Sequence, residues 1–140
     1  MKILLAIDGS PYTKKMLAYL TTHSEMLAGT QEYTALTVQT PLPPRARAAL
    51  GKAVVEQYYE EQGQKVLAPV EKYLARHNVN FKPLIKVGPA GETIAKVAEA
   101  GEFDMIIMGT QGHGALGKLI MGSVSTQVLA SCHVAVLLVR

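Results

Sequence analysis

The sequence predicts an α/β fold: one doubly wound domain whose five-stranded, mostly parallel sheet carries helices on both faces. Short apolar runs alternate with stretches of helical periodicity, and no tight hairpin signal separates the strands. The first run, from Ile3 to Ile7, is apolar without interruption, which is typical of a strand buried on both faces. A chain of 140 residues has the size of one ordinary domain, so we expect a single domain over residues 1–140.

The first helix has a well-marked predicted start. Ser10 is a favourable N-cap, and Pro11 at the first helical position lacks an amide hydrogen that would find no partner within the helix. Apolar residues then recur at helical spacing as far as Leu27, and Gly29 marks the predicted end. Strand and helix together form one β-then-α step.

The middle of the chain predicts a second strand at residues 33–38 and a helical segment at residues 45–77. The loop between them is rich in proline, which disfavours regular structure there. Gly51, Gly63 and Pro69 fall inside the helical segment, and these are the positions where it is expected to kink or break.

The second half of the chain repeats the alternation. The predicted elements are a strand at 81–87, a helix at 92–100, a strand at 105–108, a helix at 123–131 and a last strand from Val134 to Val139. Because Pro83 has no amide hydrogen to donate to a neighbour, its strand is expected at an edge of the sheet. No strand follows the last one, which predicts a second, strongly apolar edge that another copy of the chain would cover.

Composition excludes several classes of function. The 14 basic and 11 acidic residues give a net charge of +3 and are scattered, so nucleic acid is not an expected partner. The apolar runs are too short for a membrane span or for the core of a signal peptide. The lone Cys132 excludes an intrachain disulfide, and no cluster of His and Cys predicts a metal site. We therefore expect a cytoplasmic protein with no membrane segment.

Two loops that follow predicted strands carry the candidate chemistry, since open α/β sheets bind ligands at the carboxyl ends of their strands. The first loop presents Asp8 at the tip of the first strand. The second runs from Gly109 to Ser123 and is rich in glycine, so its backbone amides can approach an anion closely. It leads into a helix that carries Ser125, and the unpaired amides at the start of a helix favour phosphate. The alternative is that Gly122 and Ser123 merely cap this helix.

Two known phosphate motifs are present in the glycine-rich loop in incomplete form. The G-x-G-x-x-G spacing that begins at Gly112 matches a dinucleotide fingerprint, but no acidic residue follows Asp104 to hold a ribose. The same loop resembles a P-loop, yet Leu119 stands where Ser or Thr must bind magnesium. The spacing that survives is Gly-x2-Gly-x9-Gly-Ser, which begins at Gly109.

That spacing belongs to a wider resemblance. Residues 3–10, 36–38, 105–110 and 132–140, together with the glycine and serine pattern, resemble the universal stress protein family from end to end. The resemblance implies the adenine nucleotide alpha hydrolase-like fold. Within that family the glycine and serine pattern separates members that bind ATP from those that have lost the site, so this chain resembles the ATP-binding subgroup.

The resemblance also implies which residues meet the nucleotide. The main chain around Val38 would recognise the adenine edge. The residues that would enclose base and ribose are Ile7, Asp8, Met108 and Gly109. The residues that would hold the phosphates are Gly112, Gly122, Ser123, Val124 and Ser125. A divalent ion, Mg²⁺ or Mn²⁺, would bridge the phosphate oxygens and not depend on protein side chains.

One departure from the family pattern bears on the choice of nucleotide. Family members often carry a basic residue between the first two glycines of the pattern, where this chain has Thr110 and Gln111. Weaker attraction for phosphates is therefore expected, and AMP and ADP stay open as ligands. His113 and Lys118 are the residues that would compensate, so His113 is included among the predicted nucleotide contacts.

The function predicted from these features is that of an ATP-binding universal stress protein, a nucleotide-dependent regulatory or sensor module in a stress response. The alternative is a slow ATPase or an enzyme that phosphorylates itself on Ser123, Ser125 or another of its hydroxyl groups. No residue is assigned a catalytic role, because no water-activating residue or arginine finger is evident. The resemblance implies a homodimer through the strand from Val134 to Val139, and the sequence does not identify a protein partner.

Overall fold

The computed structural model of the protein describes residues 1–23, 25, 28–112 and 121–140. Within them the strands are β1 (Lys2–Ala6), β2 (Glu32–Gln39), β3 (Phe81–Val87), β4 (Met105–Gly109) and β5 (Ala135–Val139). The helices are α1 (Pro11–Thr22), α2 (Pro44–Leu50), α3 (Lys52–Arg76), α4 (Ala90–Ala100) and α5 (Ser123–Ser131). The strands form one sheet in the order β3-β2-β1-β4-β5, and every pairing is parallel. The predicted fold class is confirmed.

Helices cover both faces of the sheet, as the uninterrupted apolar character of β1 predicts. Ile3 and Leu5 pack with α1 and α3 on one face, whereas Leu4 packs with α4 and α5 on the other. All three side chains are fully buried. The strand is therefore the centre of two cores, and its tip is held in place from both sides.

The position of Pro83 confirms the prediction that its strand lies at an edge. In β3 the amide of Gly88, one residue past the strand, donates to the Gln39 carbonyl of β2. Hydrogen-bonding direction alternates along a strand, so even-numbered residues of β3 face β2 and odd-numbered residues face outward. Pro83 is on the outward side, where its missing amide hydrogen removes no bond from the sheet.

The predicted helical segment at 45–77 is divided at Gly51, which separates α2 from α3. Gly51 has φ 83° and ψ 161°, a conformation that ends a helix and that glycine adopts without strain. Pro69 lies inside α3 and does not end it. The buried side chains of Leu67, Val70 and Leu74 on the same helix keep it packed on the sheet, and this packing offsets the hydrogen bond that proline removes.

The first helix is shorter than its periodicity predicts. It ends at Thr22 with His23 as its C-cap, well before Gly29. The Thr21 hydroxyl donates to the carbonyls of the preceding turn, and so does that of Thr22. Such bonds compete with the continuing backbone ladder and weaken a helix. Leu27, the last residue of the predicted repeat, lies outside the described residues.

Candidate functional site

A cavity of about 520 Å³ opens at the carboxyl ends of β1, β2 and β4, beside the first turns of α1, α4 and α5. The chain leaves β1 toward β2 and β3, then returns past β1 to form β4 and β5 on its other side. The direction of winding therefore reverses between β1 and β4. Ligands of open α/β sheets bind at such a switch point.

The cavity gathers the residues that the sequence predicted for the site. Those that line it are Ile7, Asp8, Val38, Met108, Gly109, Gly112, Gly122, Ser123, Val124 and Ser125. His113, the remaining predicted contact, lies outside the described residues, and so does Lys118. Residues that are far apart in the sequence thus line the same cavity.

The loop between β1 and α1 is organised by the side chains of Asp8 and Thr13. The Thr13 hydroxyl accepts hydrogen bonds from the amides of Asp8 (3.1 Å) and Gly9 (3.2 Å). It donates in turn to Asp8 Oδ1 (2.9 Å), which also accepts from the amide of Ser10 (2.9 Å). Two hydrogen bonds therefore hold one carboxylate oxygen of Asp8 inside the loop.

Glycine is required where the loops after β1 and β4 approach each other. A Cβ added to Gly112 would lie 2.6 Å from Asp8 Oδ2, and one added to Gly109 would lie 2.6 Å from Tyr12 Cβ. Both distances are shorter than any ordinary contact between carbon and a heavy atom. The Asp8 carboxylate therefore stands directly against the backbone of the glycine-rich loop, across the switch point.

The start of α5 is fastened to the end of β4 by a single carbonyl. The Thr110 carbonyl accepts from the Gly122 amide (2.7 Å) and from the Ser125 hydroxyl (2.8 Å), and Ser125 is only 2% exposed. Helix geometry leaves the amides of Ser123, Val124 and Ser125 without an acceptor inside α5. The backbone of this turn, and the exposed Ser123 hydroxyl, are thus presented at the cavity, while the Ser125 hydroxyl is engaged in the fold.

The main chain of Val38 faces the cavity beyond the end of β1. In β2 the Leu36 carbonyl accepts from the Ile7 amide of the β1 segment (2.9 Å). The Gln39 carbonyl bonds on the opposite side, to β3. Because the direction alternates, both polar groups of Val38 point to the β1 side, where β1 has already ended at Ala6. An N–H donor and a C=O acceptor are therefore adjacent on the cavity edge of β2.

Charge is sparse around this cavity. Among the described residues that line it, Asp8 has the only charged side chain. A cation lies near the rim, because the Lys15 ammonium is 4.7 Å from the centre of the Tyr12 ring, and Tyr12 lines the cavity. The described part of the chain contains no group of three or more His, Cys, Asp or Glu residues placed to hold a metal ion.

Sequence reasoning missed several residues that line the cavity. They include Tyr12, Thr13, Gln39, Thr40, Ala90, Ile94 and Gln111. Thr13 and Tyr12 could have been found, because Pro11 fixes the helix start and places both in the first turn beside the Asp8 loop. Ile94 and Ala90 carry no sequence signal, since their place depends on how α4 packs over the sheet.

No helix in the described ranges is both long enough and apolar enough to cross a membrane.

Comparison with known proteins finds that this chain is similar to universal stress proteins. The model of the universal stress protein family matches residues 1–140. A universal stress protein of Thermus aquaticus is 33% identical over 143 residues, covering 99% of this chain and 97% of the relative. The universal stress protein Slr1230 of Synechocystis is 30% identical over 139 residues, and the chain spans 42% of its length. The chain spans 51% of another relative, MJ0531 of Methanocaldococcus jannaschii.

Solved structures share the fold over almost the whole chain. Protein MJ0577 of Methanocaldococcus jannaschii has a TM-score of 0.79 at 25% identity, covering 99% of this chain and 94% of that one. A universal stress protein family member from Arabidopsis thaliana with AMP bound has a TM-score of 0.69 at 14% identity, covering 99% and 90%. The protein from Archaeoglobus fulgidus in complex with dAMP has a TM-score of 0.67 at 13% identity, covering 100% and 98%. With the family model matched from residue 1 to residue 140 and the fold shared with these structures, this chain belongs to the universal stress protein family.

Proposed function

We propose that this chain binds ATP in the cavity at the switch point and acts, as one domain over residues 1–140, as a nucleotide-dependent regulatory module. The observation that carries the proposal is the convergence of three recognition elements on one cavity: the main chain of Val38, the Asp8 carboxylate and the first turn of α5. The AMP and dAMP complexes of proteins with the same fold support an adenine nucleotide as the ligand.

The cavity edge of β2 suits adenine. Adenine presents a hydrogen-bond acceptor, N1, beside a donor, the N6 amino group, and the main chain of Val38 offers the complementary donor and acceptor. Guanine presents the opposite pattern along the same edge, with an N–H donor and a carbonyl acceptor. We therefore expect ATP to bind more tightly than GTP.

The two remaining elements suit the ribose and the phosphates. Asp8 offers an acceptor for a ribose hydroxyl beside the base. The free amides at the start of α5 and the positive end of its dipole favour phosphate oxygens. The residues between Gly109 and Gly112, Thr110 and Gln111, are neutral and add no positive charge for the phosphates. Nucleotides with fewer phosphates, ADP and AMP, are therefore tested beside ATP.

A divalent ion, Mg²⁺ or Mn²⁺, fits this site through the nucleotide. The described cavity lining offers one carboxylate, and its Oδ1 is already held by Thr13 and Ser10. These cations prefer oxygen ligands, which a triphosphate supplies in number. Asp8 and Ser123 are among the oxygen-bearing side chains that line the cavity, and the ion would neutralise phosphate charge that no described lining cation meets.

Identification of the nucleotide that copurifies with the protein, followed by calorimetry with ATP, ADP, AMP and GTP, tests the proposal. We expect one adenine nucleotide per chain, with ATP binding strengthened by Mg²⁺. A protein that binds none of the four, or binds GTP as well as ATP, contradicts it.

Phosphate release followed over hours decides between the regulatory role and the slow ATPase. Repeated turnover that Asp8→Ala abolishes would overturn the regulatory role.

We further propose that two copies of the chain pair through β5. The Val139 carbonyl accepts from Thr110 beyond β4, so odd-numbered residues of β5 face β4 and the amide of Val136 faces outward. The other edge of the sheet already carries an outward Pro83, which blocks such pairing there. Val136→Pro removes the outward donor but no bond to β4, so we expect it to give a monomer with an intact fold. Light scattering after size exclusion measures the mass, and a wild-type monomer or a dimeric variant contradicts the proposal.

A further inference from the structure

We propose that Thr13 is a positioning residue that sets the ribose specificity of the cavity by fixing the orientation of the Asp8 carboxylate. The inference rests on the proposed function and names a residue of the same site that does not need to touch the nucleotide base or phosphates. It follows from the hydrogen bonds of one hydroxyl and from the space on the far side of Asp8.

The Thr13 hydroxyl uses all of its hydrogen-bonding capacity on the Asp8 loop. A threonine hydroxyl has one donor and two acceptor positions. Here it accepts from the amides of Asp8 and Gly9 and donates to Asp8 Oδ1, while the side chain is 6% exposed. Gly9 has φ 78°, so the loop is a tight turn that these bonds close. The threonine thus ties the backbone of the turn and the carboxylate to the same atom.

The consequence for Asp8 is that its two oxygens have different roles. Oδ1 is held by the Thr13 hydroxyl and the Ser10 amide, both at 2.9 Å. Oδ2 points the other way, toward Gly112, where an added Cβ would lie 2.6 Å from it. The carboxylate is therefore oriented across the cavity before any ligand arrives. Orientation in advance removes the cost of ordering a side chain on binding.

A carboxylate held in this way discriminates between sugars. A ribose hydroxyl donates to it, whereas a deoxyribose leaves the acceptor without that donor. A hydrogen bond to a charged group is worth enough to shift affinity by about tenfold. Without the Thr13 hydroxyl, Asp8 Oδ1 keeps its bond from the Ser10 amide but loses the one from Thr13, so the carboxylate is held less firmly and the difference between the sugars should shrink.

The test compares ATP with 2′-deoxyATP and 3′-deoxyATP by calorimetry in the wild type and in variants. We expect the wild type to bind at least one deoxy analogue about tenfold more weakly than ATP. Thr13→Val, which keeps the shape and removes the hydroxyl, should bring that ratio close to one, and Thr13→Ser should restore it. Asp8→Asn is the benchmark for the loss of the carboxylate, and Thr13→Ala is a second hydroxyl-free variant. Circular dichroism and thermal unfolding of each variant identify those that fold.

The outcomes separate the inference from the proposed function. If folded Thr13→Val or Thr13→Ala binds all three nucleotides more weakly by the same factor, Thr13 has only a structural role and the inference is overturned. If the wild type binds ATP and both analogues equally, the inference also fails, but the proposed function stands. If the wild type binds no adenine nucleotide, the proposed function fails and the ribose role fails with it.

Discussion

The two walls of the cavity are built by different means. The β1–α1 wall, residues 8–13, depends on side chains: the Thr13 hydroxyl and the Asp8 carboxylate are bonded to each other and to the turn. The β4–α5 wall, residues 109–112 and 122–125, depends on backbone: glycines, amides and the Thr110 carbonyl that holds α5 in place. One wall presents an oriented acceptor and the other presents a row of donors.

The difference matches the chemistry that each wall is proposed to meet. A ribose hydroxyl needs an acceptor at one fixed place, which a held carboxylate supplies. A phosphate chain is multiply charged and carries several acceptor oxygens on each phosphorus, so it needs many donors and close approach of the backbone. We therefore expect the β1–α1 wall to be sensitive to the loss of functional groups and the β4–α5 wall to be sensitive to added bulk.

The largest expected effect on ATP affinity comes from a larger side chain on the β4–α5 wall. A Cβ on Gly122 would lie 3.3 Å from Gln111 Cα, and a valine adds two further methyl groups at a lining residue directly before the first amides of α5. Since Gly122 has φ −83° and ψ 172°, the backbone itself accepts a side chain. Gly122→Val should therefore weaken ATP binding by about a hundredfold or more, equivalent to about 2.7 kcal/mol, while the fold is kept.

Gly122→Ala is the matched control for this prediction. It adds only the Cβ, so its affinity for ATP by calorimetry should fall between those of the wild type and Gly122→Val. Circular dichroism and thermal unfolding check that both variants remain folded. An unchanged affinity in Gly122→Val would show that the phosphates do not lie against the start of α5.

The next effect tests the contact between the two walls. Gly112→Ala places a Cβ 2.6 Å from Asp8 Oδ2, which forces the carboxylate or the loop to move. We expect ATP affinity to fall by about tenfold. Asp8→Ser shortens the side chain that meets the new methyl group, so in that background Gly112→Ala should cost little more. A double-mutant cycle measured by calorimetry gives the coupling.

Independent effects in that cycle would contradict the prediction. If Gly112→Ala weakened binding equally in both backgrounds, its methyl group would act on the nucleotide directly and not through Asp8. The contact at Gly112 would then belong to the phosphate side alone, and Asp8 would not couple the two walls.

Much of the architecture could be predicted because it depends on properties that do not change with context. The missing amide hydrogen of Pro83 excludes a central strand wherever the chain folds, and the edge position is confirmed. The uninterrupted apolar run of β1 requires cover on both faces, which the two helical layers supply. Strand tips meet at one edge in any parallel sheet, so the predicted residues of distant loops line a common cavity.

The features that could not be predicted are those where several interactions compete and tertiary packing decides between them. Gly51 and Pro69 are both helix-breaking residues, yet only Gly51 divides the helix, because buried neighbours on α3 offset the effect of the proline. The same limit applies to hydroxyl groups. The spacing places Ser123 and Ser125 at the start of α5, but only packing decides that the Ser125 hydroxyl turns inward to Thr110.

The smallest expected effects, on stability and on ATP affinity, distinguish the roles of Ser123 and Ser125 on the β4–α5 wall. Ser125→Ala removes a buried donor to the Thr110 carbonyl, which still accepts from the Gly122 amide, so we expect a loss of about 1 kcal/mol in the free energy of unfolding. Ser123 is exposed, and Ser123→Ala should change that free energy by less than about 0.5 kcal/mol. Chemical denaturation of the two variants measures the difference.

Nucleotide affinity should follow the opposite order. The Ser123 hydroxyl lines the cavity from an exposed position, so Ser123→Ala should weaken ATP binding by about threefold, the effect of a modest net hydrogen bond. Ser125→Ala leaves its backbone amide in place and should bind ATP nearly as well as the wild type. If Ser125→Ala proved the weaker binder at equal stability, its hydroxyl would have to leave Thr110 for the ligand. The β4–α5 wall would then bind the nucleotide through a side chain, as the β1–α1 wall is proposed to do.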